Sequence, residues 1–212
     1  MQQTKITILL VDDHAIVREG YRSLLSKQPG LNIIAEAADG FQAYQQYQKH
    51  QPDVTILDIS MQGMSGLEVI SRIKQRNADA KILVFSMHQN PLFALQATRA
   101  GALGYVTKSS PPAEFLRAIS QVHAGHAVLS ADIAQALALE KIGNERMALD
   151  SLTPREFEIL QLLLAEKTAE EIARTLSISA KTVCNCHYLI KRKLGVSSDI
   201  ELTRMAIRLA LI

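Results

Sequence analysis

The sequence predicts an α/β fold, a doubly wound five-stranded parallel sheet over residues 1–125, followed by a small all-α helix-turn-helix unit at 151–212. Two observations carry this. Apolar, β-branched runs alternate with helical periods through the first 125 residues, and beyond residue 150 only helix signals remain.

The elements follow in order. Ile6 to Val11 reads as a buried strand that stops at Asp12 and Asp13, and a helical period occupies 15 to 26. A second strand at 31 to 35 precedes a helix near 40 to 49. Val54 to Leu57 closes on Asp58 and is followed by a helix near 65 to 76. Ile82 to Phe85 closes on Ser86 before a helix at 91 to 100. Leu103 to Val106 leads to Lys108 and a fifth helix near 112 to 124. Near-continuous apolar runs are what strands covered on both faces need, and right-handed crossovers then give the strand order 2-1-3-4-5. Gly63 with Gly66 and Gly101 with Gly104 read as tight connections at the carboxyl edge of the sheet.

Residues 126–150 read as a linker, with Ser130 capping a short helix through Lys141 and a connector after it. Thr153-Pro-Arg-Glu156, Thr168-Ala-Glu-Glu171 and Ser198-Asp-Ile-Glu201 each have the spacing of a capping box, and Ser179 caps without the reciprocal Glu. Four helices follow, near 154 to 165, 169 to 176, 180 to 194 and 199 to 210. Ser177-Ile-Ser179 is the short turn of a helix-turn-helix.

A chain of 212 residues with 48% hydrophobic content suits two small domains, and no apolar run approaches the roughly 18 residues that cross a bilayer. The opening Met-Gln-Gln-Thr-Lys leads into a strand without a signal-peptide apolar region, so a cytoplasmic protein without membrane association is expected. Cys184 and Cys186 stand two apart on a helix, which turns them to different faces and disfavours a disulfide.

Parallel strands gather their carboxyl ends at one edge, so Asp12, Asp13, Asp58, Ser86 and Lys108 are expected to converge. Clustered carboxylates are hard oxygen donors of the kind Mg2+ uses while keeping several waters. One Asp58 oxygen would remain free as a nucleophile toward a phosphoryl group, and Lys108 and Ser86 could contact the phosphoryl oxygens.

These residues carry a resemblance. The segments Leu10 to Gly20 (LVDDHAIVREG) and Pro52 to Gly66 (PDVTILDISMQGMSG), with Ser86 and Gly101 to Lys108 (GALGYVTK), resemble the flavodoxin-like receiver domain of two-component response regulators. Leu152 to Leu160 (LTPREFEIL), Glu171 to Ala173, Lys181-Thr182-Val183 and Lys193 to Val196 resemble the LuxR-type helix-turn-helix. Together the two sets resemble the NarL/FixJ subfamily over nearly the whole chain.

The resemblance implies that Asp58 is the phosphoacceptor for a sensor histidine kinase, and that Asp12, Asp13, Asp58 and the Ser60 backbone carbonyl hold Mg2+. It implies that Ser86 and Tyr105 are the switch pair, that Lys108 contacts the phosphoryl group, and that Ser60 and His88 tune its hydrolysis. Self-phosphorylation and slow self-dephosphorylation would be the only enzymology. Phosphorylation would favour a homodimer that binds a double-stranded DNA operator and regulates transcription. On the recognition-helix candidate, Lys181, Thr182, Cys184, Asn185, Tyr188, Lys191 and Arg192 are the expected DNA contacts, while Val183, Ile190 and Leu194 fit the inner face. Residues 151 to 212 hold nine Lys and Arg against seven Asp and Glu, a modest basic excess.

The chain departs from the family pattern at Gln62 and Ser109, where relatives often have Pro, and at Glu166, where Gly usually ends the first helix of the DNA-binding unit. Cys184 and Cys186 stand where Lys and His are common. Cys184, Cys186 and His187 also admit a metal or redox sensor, although neighbouring helical positions diverge and no fourth ligand is apparent, which favours plain helix residues. A Mg2+-dependent phosphohydrolase is the rival class, but its second Asp would follow the nucleophile by two. No Gly-x-Gly-x-x-Gly or P-loop follows the first strand.

Overall fold

The computed structural model describes residues 5–61, 63–139, 149, 151–209 and 211, in two compact units, residues 1–137 and 138–212. In the first unit the strands β1 (Ile6–Val11), β2 (Leu31–Ala37), β3 (Val54–Leu57), β4 (Ile82–Ser86), β5 (Gly104–Thr107) and β6 (Val128–Leu129) alternate with helices. These are α1 (Ala15–Ser26), α2 (Gly40–His50), α3 (Gly66–Arg76), α4 (Pro91–Ala100), α5 (Pro112–His123) and α6 (Ala131–Leu139). Every described pairing is parallel, in the order β2-β1-β3-β4-β5-β6.

The sheet therefore has six strands where the sequence suggested five. β6 is two residues long, too short to carry a period, and is recruited to the open edge of β5, where Val128 pairs Gly104 and Leu129 pairs Tyr105. Its amides close the ladder: Val128 N–H donates to Leu103 O at 3.1 Å and Ser130 N–H to Tyr105 O at 2.9 Å. The sheet thus reaches past residue 125 into the expected linker. The helix foreseen through Lys141 is described as far as Leu139, and the connector foreseen from Ile142 to Asp150 lies outside the described residues except at Leu149.

The core confirms that both sheet faces are covered. Ile8, Leu10, Val54, Ile56, Leu83, Phe85 and Val106 pack with Leu25 and with Phe115, Ala118, Ile119 and Val122 of α5. The intervening strand residues Leu9, Val11 and Leu57 are buried as well, as are Leu67, Ile70 and Ile73 of α3. Phe85 and Phe115 stack at 4.1 Å with Tyr21 edge-on to Phe85 at 4.6 Å, a geometry worth about 0.5–1.5 kcal/mol per pair beyond burial.

Two glycine pairs behave differently. Gly66 opens α3 at the carboxyl edge, and a Cβ there would stand 2.4 Å from the Asp58 carbonyl oxygen, so only glycine lets α3 start so close to the end of β3. Gly101 instead caps α4 at φ 111 and leads into β5. A helix-to-strand connection lies at the amino ends of the strands, so Gly101 and Gly104 sit at the edge opposite the one expected.

The second unit holds α7 (Pro154–Leu164), α8 (Ala169–Leu176), α9 (Ala180–Leu194) and α10 (Asp199–Arg208). Thr153 with Glu156 and Thr168 with Glu171 form reciprocal capping boxes, and Ser179 caps α9 through the Thr182 amide. The third foreseen box is not reciprocal. Ser198 accepts from the Glu201 amide, but the Glu201 carboxylate turns one residue further back to the Ser197 amide at 2.7 Å and hydroxyl at 2.8 Å. Phe157, Ile172, Val183, Ile190, Leu202 and Met205 are buried among these helices. No helix among the described residues is long and apolar enough to cross a membrane.

Candidate functional site

Asp12 follows β1, Asp58 follows β3, Ser86 ends β4 and Lys108 follows β5, so the register brings them to one edge. The chain there is pinned by backbone bonds, from the Asp58 amide to Val11 O at 3.0 Å and from the Lys108 amide to Ser86 O at 2.7 Å. Lys108 Nζ donates to Asp12 Oδ2 at 2.7 Å and to Asp58 Oδ2 at 2.5 Å, and all three side chains are 4% exposed. Burial by itself would lower the Lys108 pKa, but the hydrogen bonds to Asp12 and Asp58 outweigh it and raise the value.

The remaining oxygens are placed by local backbone. Asp58 Oδ1 accepts from the Ser60 amide at 3.1 Å, and Asp12 Oδ1 accepts from the His14 amide at 2.8 Å, which starts α1. The Arg18 guanidinium donates to the Asp12 carbonyl at 2.6 Å. Asp13 Oδ1 is buried without a hydrogen bond and lies 2.9 Å from His14 Nδ1. Ligand atoms of Asp12, Asp13, His14 and Asp58 all fall within 4.8 Å of one another, so the cluster could hold a metal ion. His14 is the member sequence reasoning did not propose, and its only signal was adjacency to the acidic pair.

Ser86 and Tyr105 are fully buried and meet at one residue. Ser86 Oγ accepts from the His88 amide at 3.3 Å, and the Tyr105 hydroxyl donates to the His88 carbonyl at 2.9 Å. Burial pushes the Tyr105 pKa up strongly, with the Ser86 hydroxyl opposing, so the phenol stays protonated. The His88 ring stacks on Phe93 at 3.9 Å and contacts Ser60 Oγ at 2.7 Å. Burial lowers its pKa, against the pull of Asp58.

In the second unit, Lys181, Thr182, Cys184, Asn185, Tyr188 and Arg192 are exposed on α9, and Val183, Ile190 and Leu194 are buried. Positions 181, 184, 185, 188 and 192 follow the helical repeat and share one face. Lys191 differs, being half-buried and bonded to Asp199 Oδ1 at 3.0 Å. Lys193 braces the fold, donating to Glu156 Oε2 at 2.6 Å and to the Ser151 carbonyl at 3.2 Å. Cys184 and Cys186 are free thiols, and burial raises the pKa of Cys186.

Residues 8–120 match the family model of the response regulator receiver domain, and residues 150–206 match that of bacterial regulatory proteins of the luxR family. The chain is 38% identical over 206 residues to the response regulator UvrY of Escherichia coli K12, covering 96% of this chain and 94% of that protein. A two-component response regulator of the LuxR family from Aurantimonas sp. SI85-9A1 is 49% identical with a TM-score of 0.62, covering 64% of this chain and 96% of its own. RcsB from Salmonella enterica serovar Typhimurium, bound to a promoter in the presence of phosphomimetic BeF3-, superposes with a TM-score of 0.67 at 26% identity over 99% of this chain and all of that one.

Proposed function

Because this chain belongs to the response regulators that join a receiver domain to a luxR-family domain, we propose that it regulates transcription as the phosphorylated partner of a sensor histidine kinase. Phosphorylation falls on Asp58. The carrying observation is the buried Asp58 carboxylate, held at the strand edge between Lys108 Nζ and the Ser60 amide, with Asp12 across the same ammonium.

The donor set suits Mg2+: three carboxylates close together, one with a buried oxygen lacking a hydrogen bond; the Ser60 backbone carbonyl would join them as a further hard oxygen. When bound, Mg2+ supplies charge neutralisation for the incoming phosphoryl group. An Asp58 oxygen attacks phosphorus, the bond from phosphorus to the donor's nitrogen or oxygen breaks, and the donor leaves with that electron pair. Lys108 is placed to neutralise a phosphoryl oxygen and Ser86 to donate to another. His88 couples the switch pair, since its amide bonds Ser86 and its carbonyl bonds Tyr105. Turning Ser86 toward the phosphoryl group loosens the segment that holds Tyr105.

The output is a population shift toward a homodimer that binds double-stranded operator DNA through α9, with Lys181 and Arg192 on phosphates and Thr182, Cys184, Asn185 and Tyr188 toward base edges. The RcsB complex with a promoter and BeF3- supports this reading. Beyond slow self-phosphorylation and dephosphorylation the protein catalyses no reaction, and it works in the cytoplasm. The test is intact mass after acetyl phosphate and Mg2+, on the native chain and Asp58→Asn, followed by sizing chromatography. One added phosphoryl group on the native chain alone, with a shift toward dimer, is expected. Equal operator affinity with and without phosphate would refute the switch.

A further inference from the structure

Helix α9 carries an ion pair that the proposed function does not use. Lys191 Nζ donates to Asp199 Oδ1 at 3.0 Å, and His187 Nε2 lies 2.8 Å from the same oxygen. Asp199 is the first residue of α10, where the partial positive charge of a helix N-terminus favours a carboxylate. The Lys191 ammonium and the helix N-terminus thus hold this carboxylate at the flank of the helix that exposes Lys181, Asn185, Tyr188 and Arg192. The Lys191 contact, and with less weight the His187 charge, holds the Asp199 pKa below the ordinary carboxylate range against the effect of burial.

An ammonium on a carboxylate oxygen has the chemistry of an ammonium on a DNA phosphate. We propose that Asp199 is an affinity-determining residue of the DNA-binding surface, its carboxylate occupying Lys191 as a backbone phosphate would. This rests on the reading of the second unit as a DNA-binding domain. Exposure decides that the occupancy is reversible. The Asp199 side chain is 67% exposed, and ion pairs so solvated are weak enough for a well-placed phosphate to compete. Glu156, the partner of Lys193, is only 9% exposed and keeps that amine as part of the fold. Two of the four basic residues of α9 are therefore committed internally, one of them releasably.

The test uses the full chain and a mixed-sequence double-stranded oligonucleotide, with fluorescence anisotropy across a salt series. Asp199→Asn should bind roughly three- to eightfold tighter at about 0.1 M salt, with a plot of log K against log salt steeper by about one. The capping residue is Ser198, so this substitution leaves the α10 cap in place. Asp199→Glu should restore native behaviour, and adding Lys191→Met to Asp199→Asn should remove the gain. With Asp199 intact, Lys191→Met should cost less affinity than Lys181→Met. Equal affinity and slope for native and Asp199→Asn protein, with the native chain binding in a salt-dependent way, would overturn the proposal and leave the DNA-binding reading standing. A gain that survives Lys191→Met would also overturn it, and no salt-dependent binding by the native chain would overturn both.

Discussion

Asp13→Asn should make the metal-free receiver more stable and remove most of its stabilisation by Mg2+. The ligand atoms of Asp12, Asp13 and Asp58 lie within 4.8 Å of one another, so each like-charged pair repels by at least about 3.5 kcal/mol at an effective dielectric of about 20. Lys108 sits on Asp12 and Asp58, while Asp13 is in contact with His14. Asp13 therefore meets two carboxylates whose combined charge Lys108 offsets by one, a balance of about one repulsion. Its side chain is 22% exposed, and solvent screening reduces the net to about 1–2 kcal/mol. The local turn does not depend on Asp13, because the amide that starts α1 is accepted by Asp12. The melting temperature of the first transition should rise by about 4–8 °C without metal. With Mg2+ at tenfold its dissociation constant the native chain should gain about 1.4 kcal/mol, and the variant little. Differential scanning calorimetry with EDTA and with Mg2+ reads both. A lower metal-free melting temperature, or an undiminished Mg2+ effect in the variant, would refute the reasoning.

Other substitutions follow from the same geometry. Lys108→Met leaves two carboxylates buried without their ammonium, so urea titration should show a loss of about 3–5 kcal/mol in metal-free protein, partly recovered by Mg2+. Glu166 holds φ 58, a left-handed conformation costly for a side chain, so Glu166→Gly should stabilise the second unit by about 1 kcal/mol in its denaturant midpoint. Burial alone would raise the Glu156 pKa, but Lys193 and Thr153 hold it below its ordinary 4.5. Its contribution is complete above about pH 4.5 and is lost as pH falls through the depressed folded value, so acid titration of Lys193→Met should show a shallower stability loss below pH 4.5 than the native chain.

Sequence by itself determined whatever depends on near neighbours. Apolar runs set the first five strands, periodicity set the helices to within a few residues, and Thr153, Thr168 and Ser179 announced their caps, since a cap is a contact over three residues. It also placed Asp12, Asp58, Ser86 and Lys108 at strand ends, and parallel topology alone made those ends meet. The tertiary structure decided which atoms pair. Lys108 chooses Asp12 and Asp58 across 96 and 50 residues, and no local pattern carries that choice. Val128 and Leu129 become a strand only because β5 offers an open edge. Glu201 turns to Ser197 rather than Ser198, and Lys191 faces Asp199 instead of solvent, because each long side chain takes the nearest oppositely charged or hydrogen-bonding partner that packing brings to it.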